Sequence, residues 1–157
     1  MEYKRSDFEI MAPVGSYESL MAAIESGANS VYFGIENLNM RSRSASNFTT
    51  DDLREIVKIC KENNIKSYLT VNTVIYNDDL DMMRKIIDTA KEVEVSAIIA
   101  ADVAAMLYAY KVGVEVHLST QLNIANVDAL KFYSQYADVV VLARELNMDQ
   151  VSAIWKQ

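Results

Sequence analysis

Few side chains in this sequence have the chemistry of a catalyst or a binding site, and they fall in small groups. His117 is followed closely by Ser119, Thr120 and Gln121, with Asn123 nearby. Arg144 and Glu145 are adjacent. Residues 37–50 hold Arg41, Arg43 and Asn47 and no acid, although the chain carries a net charge of −7. Asn72 and Thr73 stand together, and Asp102 interrupts an otherwise apolar stretch. An imidazole titrates near neutral pH, so His117 is a candidate general base. Its alternative is a hydrogen-bonded structural histidine. Guanidinium forks match carboxylate and phosphate oxygens, which makes Arg41 and Arg43 an anion-binding candidate; the alternative is a pair of solvated loop charges. Arg144 and Glu145 read equally as a site pair, with Glu145 as a second catalytic candidate, or as charges preceding the last helix.

Several chemistries are excluded at this stage. No G-x-S-x-G is present, and Ser119 is too close in sequence to His117 for a turn to place it as a triad nucleophile. No P-loop, G-x-G-x-x-G, H-E-x-x-H or EF-hand occurs. One cysteine, Cys60, and one histidine cannot form a disulfide or a Cys/His zinc site within the chain. Cys60 shares helical spacing with Leu53, Ile56 and Val57, so it is read as a packing residue. No metal ligand set is expected.

The elements that must position these groups alternate in type. Apolar runs at Phe8–Ala12, Ser30–Gly34, Lys66–Val71, Ala97–Ala100, Val114–Leu118 and Asp138–Leu142 are short and apolar on both faces, as parallel strands under helices are. Between them lie segments with apolar residues at helical spacing, such as Leu53, Ile56, Val57 and Cys60, or Leu80, Met83, Ile87 and Ala90. Ser16, Asn77, Asn126 and Asn147 are candidate N-caps, and Thr49-x-x-Asp52 is a capping-box variant. Gly27 and Gly113 stand where helices should end. Six β-α units follow, either as an open doubly wound sheet or as part of a (β/α) barrel, whose eight units typically need about 250 residues. In both, chemistry gathers beyond the carboxyl ends of the strands, where the polar groups above lie.

Composition bounds the function class. Hydrophobic residues make up 51% and charged residues 24%, the balance of a globular domain and not of a disordered chain. With 15 basic against 22 acidic residues, any nucleic-acid contact needs a local basic island. No apolar segment of signal type follows Lys4 and Arg5. The longest weakly charged run, Val95–Tyr110, is shorter than the ~20 residues of a membrane span. A cytoplasmic protein without membrane contact is expected.

The opening "EIMAPVGSYESLMAAIESGANSVYFG" resembles the first β-α-β unit of the collagenase-like peptidases of unassigned catalytic type, peptidase family U32. The blocks "RSRSASNFT", "LTVNTVIYNDDL", "AADVA", "HLSTQLNIAN" and "VVLARELNMDQV" extend the resemblance along nearly the whole chain in order. It implies a TIM-barrel-like α/β fold, with residues 1–157 as a single (β/α) domain of six units from the N-terminal part of a longer family barrel. It places Arg41, Arg43, Asn47, Asn72, His117, Ser119, Gln121, Arg144 and Glu145 at polar barrel-mouth positions. Three functions follow as expectations. One is a peptidase, a hydrolase of the collagenase-like type. The second is a prephenate-dependent tRNA or rRNA hydroxylation factor. The third is a catalytically incomplete module that binds a ligand or partner. The partners implied are a small anion such as prephenate, or a peptide, with RNA reached through a full-length protein. The glycine- and cysteine-rich segment diagnostic of the family would lie beyond Gln157, so no iron–sulfur cluster or other cofactor is expected in this chain. An incomplete barrel exposes two sheet edges, through which self-association is expected.

Overall fold

The computed structural model describes residues 4–38 and 48–157. Each apolar run seeds a strand, and each amphipathic segment a helix. The order is β1 (Met11–Pro13), α1 (Tyr17–Glu25), β2 (Ser30–Gly34), α2 (Thr50–Glu62), β3 (Lys66–Val71), α3 (Leu80–Glu92), β4 (Ala97–Ala100), α4 (Val103–Val112), β5 (Val116–Leu118), α5 (Val127–Tyr133), β6 (Val139–Val140) and α6 (Met148–Trp155). All strand pairs are parallel, and their spatial order is their sequence order, β1 to β6. A doubly wound sheet reverses its strand order at a switch point; this one does not, and it curls into a half-barrel with helices outside.

Alternation along the strands separates two faces. Val31, Phe33, Leu69, Val71, Ile98, Ala100, Val116 and Leu118 point outward and are buried under the helices, together with Leu53, Ile56, Ile87 and Met106. Each of these side chains larger than alanine contributes roughly 1.5–3 kcal/mol by leaving water. The inner face is formed by Tyr32, Tyr68, Thr70, Ile99 and His117, which the register brings side by side. At the two edges this face is open: Met11 is 42% exposed, Val139 41% and Val141 37%.

Local chemistry sets the ends of the elements. Ser16, Asn126 and Asn147 accept from the backbone N–H groups of Ser19, Ala129 and Gln150, and Thr49 and Asp52 cap each other's backbone. Gly113 ends α4 in the left-handed conformation at φ 76°, whereas the turns after α2 and α3 force Asn64 (φ 56°) and Glu94 (φ 59°) into that region.

Some boundaries differ from the sequence expectation. β1 begins at Met11, opposite Ser30, the first residue of β2, and leaves Phe8 and Ile10 exposed; the Ile10 carbonyl accepts from Asn29 and Ser30 just before the ladder starts. β5 and β6 are shorter than their apolar runs; Asp138 accepts the Val116 N–H with its carboxylate and ends the ladder there. Asn77 does not cap α3. It lies in a 3₁₀ turn, Asn77–Asp79, closed by the Tyr76 N–H donating to Asp79.

Candidate functional site

The parallel sheet delivers the residues after each strand to one end of the half-barrel. There the inner face encloses a cavity of about 320 Å³, walled by Met11, Tyr32, Ile99 and Val141, with Thr70, Asn72, Ser119 and Thr120 as its polar groups. Thr70 Oγ1 donates to the Phe33 carbonyl at 3.0 Å. Ser119 is held by its own N–H, which donates to the Ala100 carbonyl at 2.8 Å, so the chain turns inward as β5 ends. Its hydroxyl donates to Gln121 Oε1 at 3.3 Å. Among the described residues, no side chain lining this chamber is charged.

Half-buried Asn72 also lines a second, outer cavity of about 250 Å³, shared with Asp102 and Gln121. Asp102 shapes this vestibule. One carboxylate oxygen accepts from the Ala104 N–H at 2.8 Å and caps α4, while the other accepts from the Ile75 N–H at 3.3 Å and anchors the loop after β3. Asp102 was visible in the sequence as a lone polar residue after β4, but its grip on a segment 27 residues away was not.

His117 sits elsewhere. Its buried imidazole is on the inner face of β5, but Nε2 lies 2.8 Å from Glu115 Oε1, toward the amino ends of the strands. The ring rests on Tyr68, with centroids 4.8 Å apart. The Tyr68 hydroxyl donates to Glu9 at 2.7 Å, and Lys66 Nζ donates to the other Glu9 oxygen at 2.8 Å. Burial would raise the Glu9 carboxyl, but the hydrogen bonds from Lys66 and Tyr68 outweigh it and hold the group at about 2. Burial, then the Glu9 bond, pushes the Tyr68 phenol up to about 12. This polar group forms a floor beneath the chamber. Sequence reasoning missed Glu9, Lys66 and Tyr68; the available signal was a Lys66-x-Tyr68 pair at strand spacing inside an apolar run.

The structure therefore brings Asn72, Ser119 and Gln121 together at the mouth and places His117 in the floor, outside the chamber lining. Arg144 and Glu145 are exposed in the turn after β6. Val139 is His117's neighbour on β6, so the two catalytic candidates, His117 and Glu145, stand at different levels of the barrel. Arg41, Arg43 and Asn47 lie outside the described residues. Cys60 is fully buried under the sheet, and burial pushes its thiol up to about 11. Among the described residues no group of three or more His, Cys, Asp or Glu side chains converges on a point. No described helix is long and apolar enough to cross a membrane.

A family model described as peptidase family U32 matches residues 15–157. The chain belongs to peptidase family U32. Among relatives, a collagenase of Porphyromonas gingivalis is 71% identical over 149 residues, covering 95% of this chain and 36% of that protein. The tRNA hydroxylation protein P1 of Bacillus subtilis is 36% identical over 142 residues, covering 88% of this chain and 33% of its own length. The chain thus spans about a third of the length of these U32 relatives. A solved U32 peptidase superposes with a TM-score of 0.75 at 17% identity, over 99% of this chain and 67% of that one, which shows the shared barrel fold.

Proposed function

We propose that this U32 half-barrel carries the substrate-binding mouth of a collagenase-like peptidase. The observation that carries this reading is the 71% identity to the P. gingivalis collagenase along 95% of the chain. Asn72, Ser119 and Gln121 position the peptide at the mouth, and Arg144 polarises its carbonyl. Glu145, exposed at the rim, activates water; His117, engaged by Glu115, supports the floor. The chain contributes no iron–sulfur ligand and works in the cytoplasm. Copies associate through the open edges at Met11 and Val139, where the inner face is most exposed. The test is cleavage of denatured collagen by the full-length protein. Glu145→Gln should lower kcat about 100-fold with little change in KM, since general base catalysis contributes 10²–10⁴-fold. Cleavage unaffected by Glu145→Gln removes this assignment.

The relationship to a tRNA hydroxylation protein supports a second reading, in which the longer protein modifies RNA with prephenate as the small-molecule partner. Arg41, Arg43 and Asn47 would then bind the two carboxylates. Prephenate should raise the melting temperature of the wild type and leave the Arg41→Ala, Arg43→Ala double variant unmoved. No shift in the wild type counts against prephenate.

A further inference from the structure

The helices that cover the sheet differ in what they turn to solvent. α2 presents Arg54, Lys58 and Lys61, each in an ion pair, and α3 presents Arg84 and Asp88. Such faces are built to stay in water. α4 is different. Ala105, Met106 and Ala109 are its buried side, but its outer side is a second apolar stripe of Val103, Leu107 and Tyr110, each at least 42% exposed. A helix apolar on every side is ordinarily covered on every side. The stripe runs on toward α5. The Tyr110 ring meets Tyr136 edge-on at 5.9 Å, and Tyr136 meets Phe132, itself exposed, at 6.3 Å. Contiguous exposed apolar surface of this kind marks an interaction site. The charges around it select the partner. No acid lies within α4. The amino ends of α4 and α5 carry Asp102 and Asp128, and their last turns carry Lys111 and Lys131. The patch is therefore acidic at one end and basic at the other, the pattern that complements itself when turned end for end.

We infer that the outer face of α4, with Phe132 and Tyr136 beside it, docks a second copy of this chain, the two α4 helices lying antiparallel about a two-fold axis at Leu107. The contact is then the same from both sides. Leu107 faces Leu107, and Val103 of each copy faces Tyr110 and Lys111 of the other. Lys111 reaches the amino end of the opposite α4, where Asp102 stands, and α5 lies over α5, so that Lys131 approaches the partner's Asp128. A parallel pairing would set Lys111 against Lys111, and like charges across an interface are costly. This surface is separate from the open sheet edges and does not depend on the peptidase reading. α4 has 10 residues and is about 15 Å long, so the contact is of the small class and the dimer is a weak one. Packed helix axes stand about 8–10 Å apart with Cα atoms about 2.3 Å from each axis, which leaves roughly 3–5 Å between the two Leu107 Cα atoms. That range meets the about 4.4–6.8 Å span of a disulfide.

The test uses the full-length protein. Sedimentation over a concentration series from micromolar to millimolar should show a monomer–dimer equilibrium. Leu107→Glu should raise its dissociation constant at least about 100-fold, a tenfold loss for each of the two copies of a central side chain. Leu107→Cys should cross-link two copies on mild oxidation, and Lys58→Cys, on the charged outer side of α2, should not. Cys60 is fully buried and common to both variants. Val139→Lys, at the open edge, should leave the Leu107→Cys cross-link unchanged, which separates this surface from the edge contact. A protein monomeric at millimolar concentration, dimers indifferent to Leu107→Glu, or equal cross-linking of the Leu107→Cys and Lys58→Cys variants overturns the inference. So does a Leu107→Cys variant that neither cross-links nor gains a thiol open to reagents, because the face is then closed by another part of the full-length protein. No turnover is measured, so a protein that dimerises through α4 and cleaves no peptide refutes the peptidase reading alone.

Discussion

Replacing Glu9 by Gln tests whether the floor network holds the half-barrel together. The substitution keeps one carbonyl oxygen for the Tyr68 hydroxyl and removes the charge together with the second acceptor oxygen that Lys66 Nζ uses. The Glu9 carboxyl is held at about 2 against an ordinary 4.5. At about 1.4 kcal/mol for each tenfold change in proton affinity, that difference has an upper limit of about 3.5 kcal/mol. The Glu9 side chain is 35% exposed, so solvent screening reduces the expected contribution to about 1–2 kcal/mol. The sign follows from the lowered value. A carboxyl bound more weakly to its proton in the folded state stabilises the fold above the unfolded value near 4.5, and that contribution disappears as the pH falls through about 2. Urea unfolding of wild type and Glu9→Gln at pH 7 should differ by about 1–2 kcal/mol. The two curves should converge stepwise between pH 5 and pH 2. A difference that is the same at pH 7 and pH 2.5, or one below about 0.3 kcal/mol at pH 7, would refute the role assigned to this carboxylate.

Asp102→Ala should cost about 1 kcal/mol through loss of the α4 cap, within a usual range of about 0.5–2. It should also speed hydrogen exchange at the Ile75 amide, which the Asp102 carboxylate otherwise holds. Glu94→Gly should stabilise the protein by about 0.5–1 kcal/mol, because it relieves a left-handed non-glycine residue at only the entropy cost of glycine; a lowered melting temperature would show that the Lys61–Glu94 ion pair matters more. The Cys60 thiol, buried and pushed to about 11, should resist aromatic disulfide reagents at pH 8 in the folded protein and react at once in urea.

The reading from sequence recovered β2, β3 and β4 residue for residue, because fully buried parallel strands are uniform apolar runs bounded by turn residues. It lost accuracy at the edges. β1, β5 and β6 are cut short where a neighbouring strand ends or a side chain such as Asp138 takes over a ladder hydrogen bond, and neither event is written in local composition. The caps were legible at Ser16, Thr49, Asn126 and Asn147, since a capping side chain acts within three residues of itself. Asn77 was misleading because Asp79, two residues on, captures the Tyr76 N–H and starts a tighter turn first. At the site, the mouth group of Asn72, Ser119 and Gln121 could be anticipated from the rule that loops after parallel strands converge.

Element types, their order and the end of the barrel that carries the polar loops were determined by the sequence itself. Each rests on spacing within a few residues. The tertiary structure alone decided which side of each strand faces inward, because a strand apolar on both faces carries no mark of its orientation. It alone joined Glu9 to Lys66 across 57 residues and turned His117 toward that floor, away from the mouth where its position in the chain had suggested it would work. Such contacts depend on strand register and sheet curvature, which are properties of the assembled barrel wall.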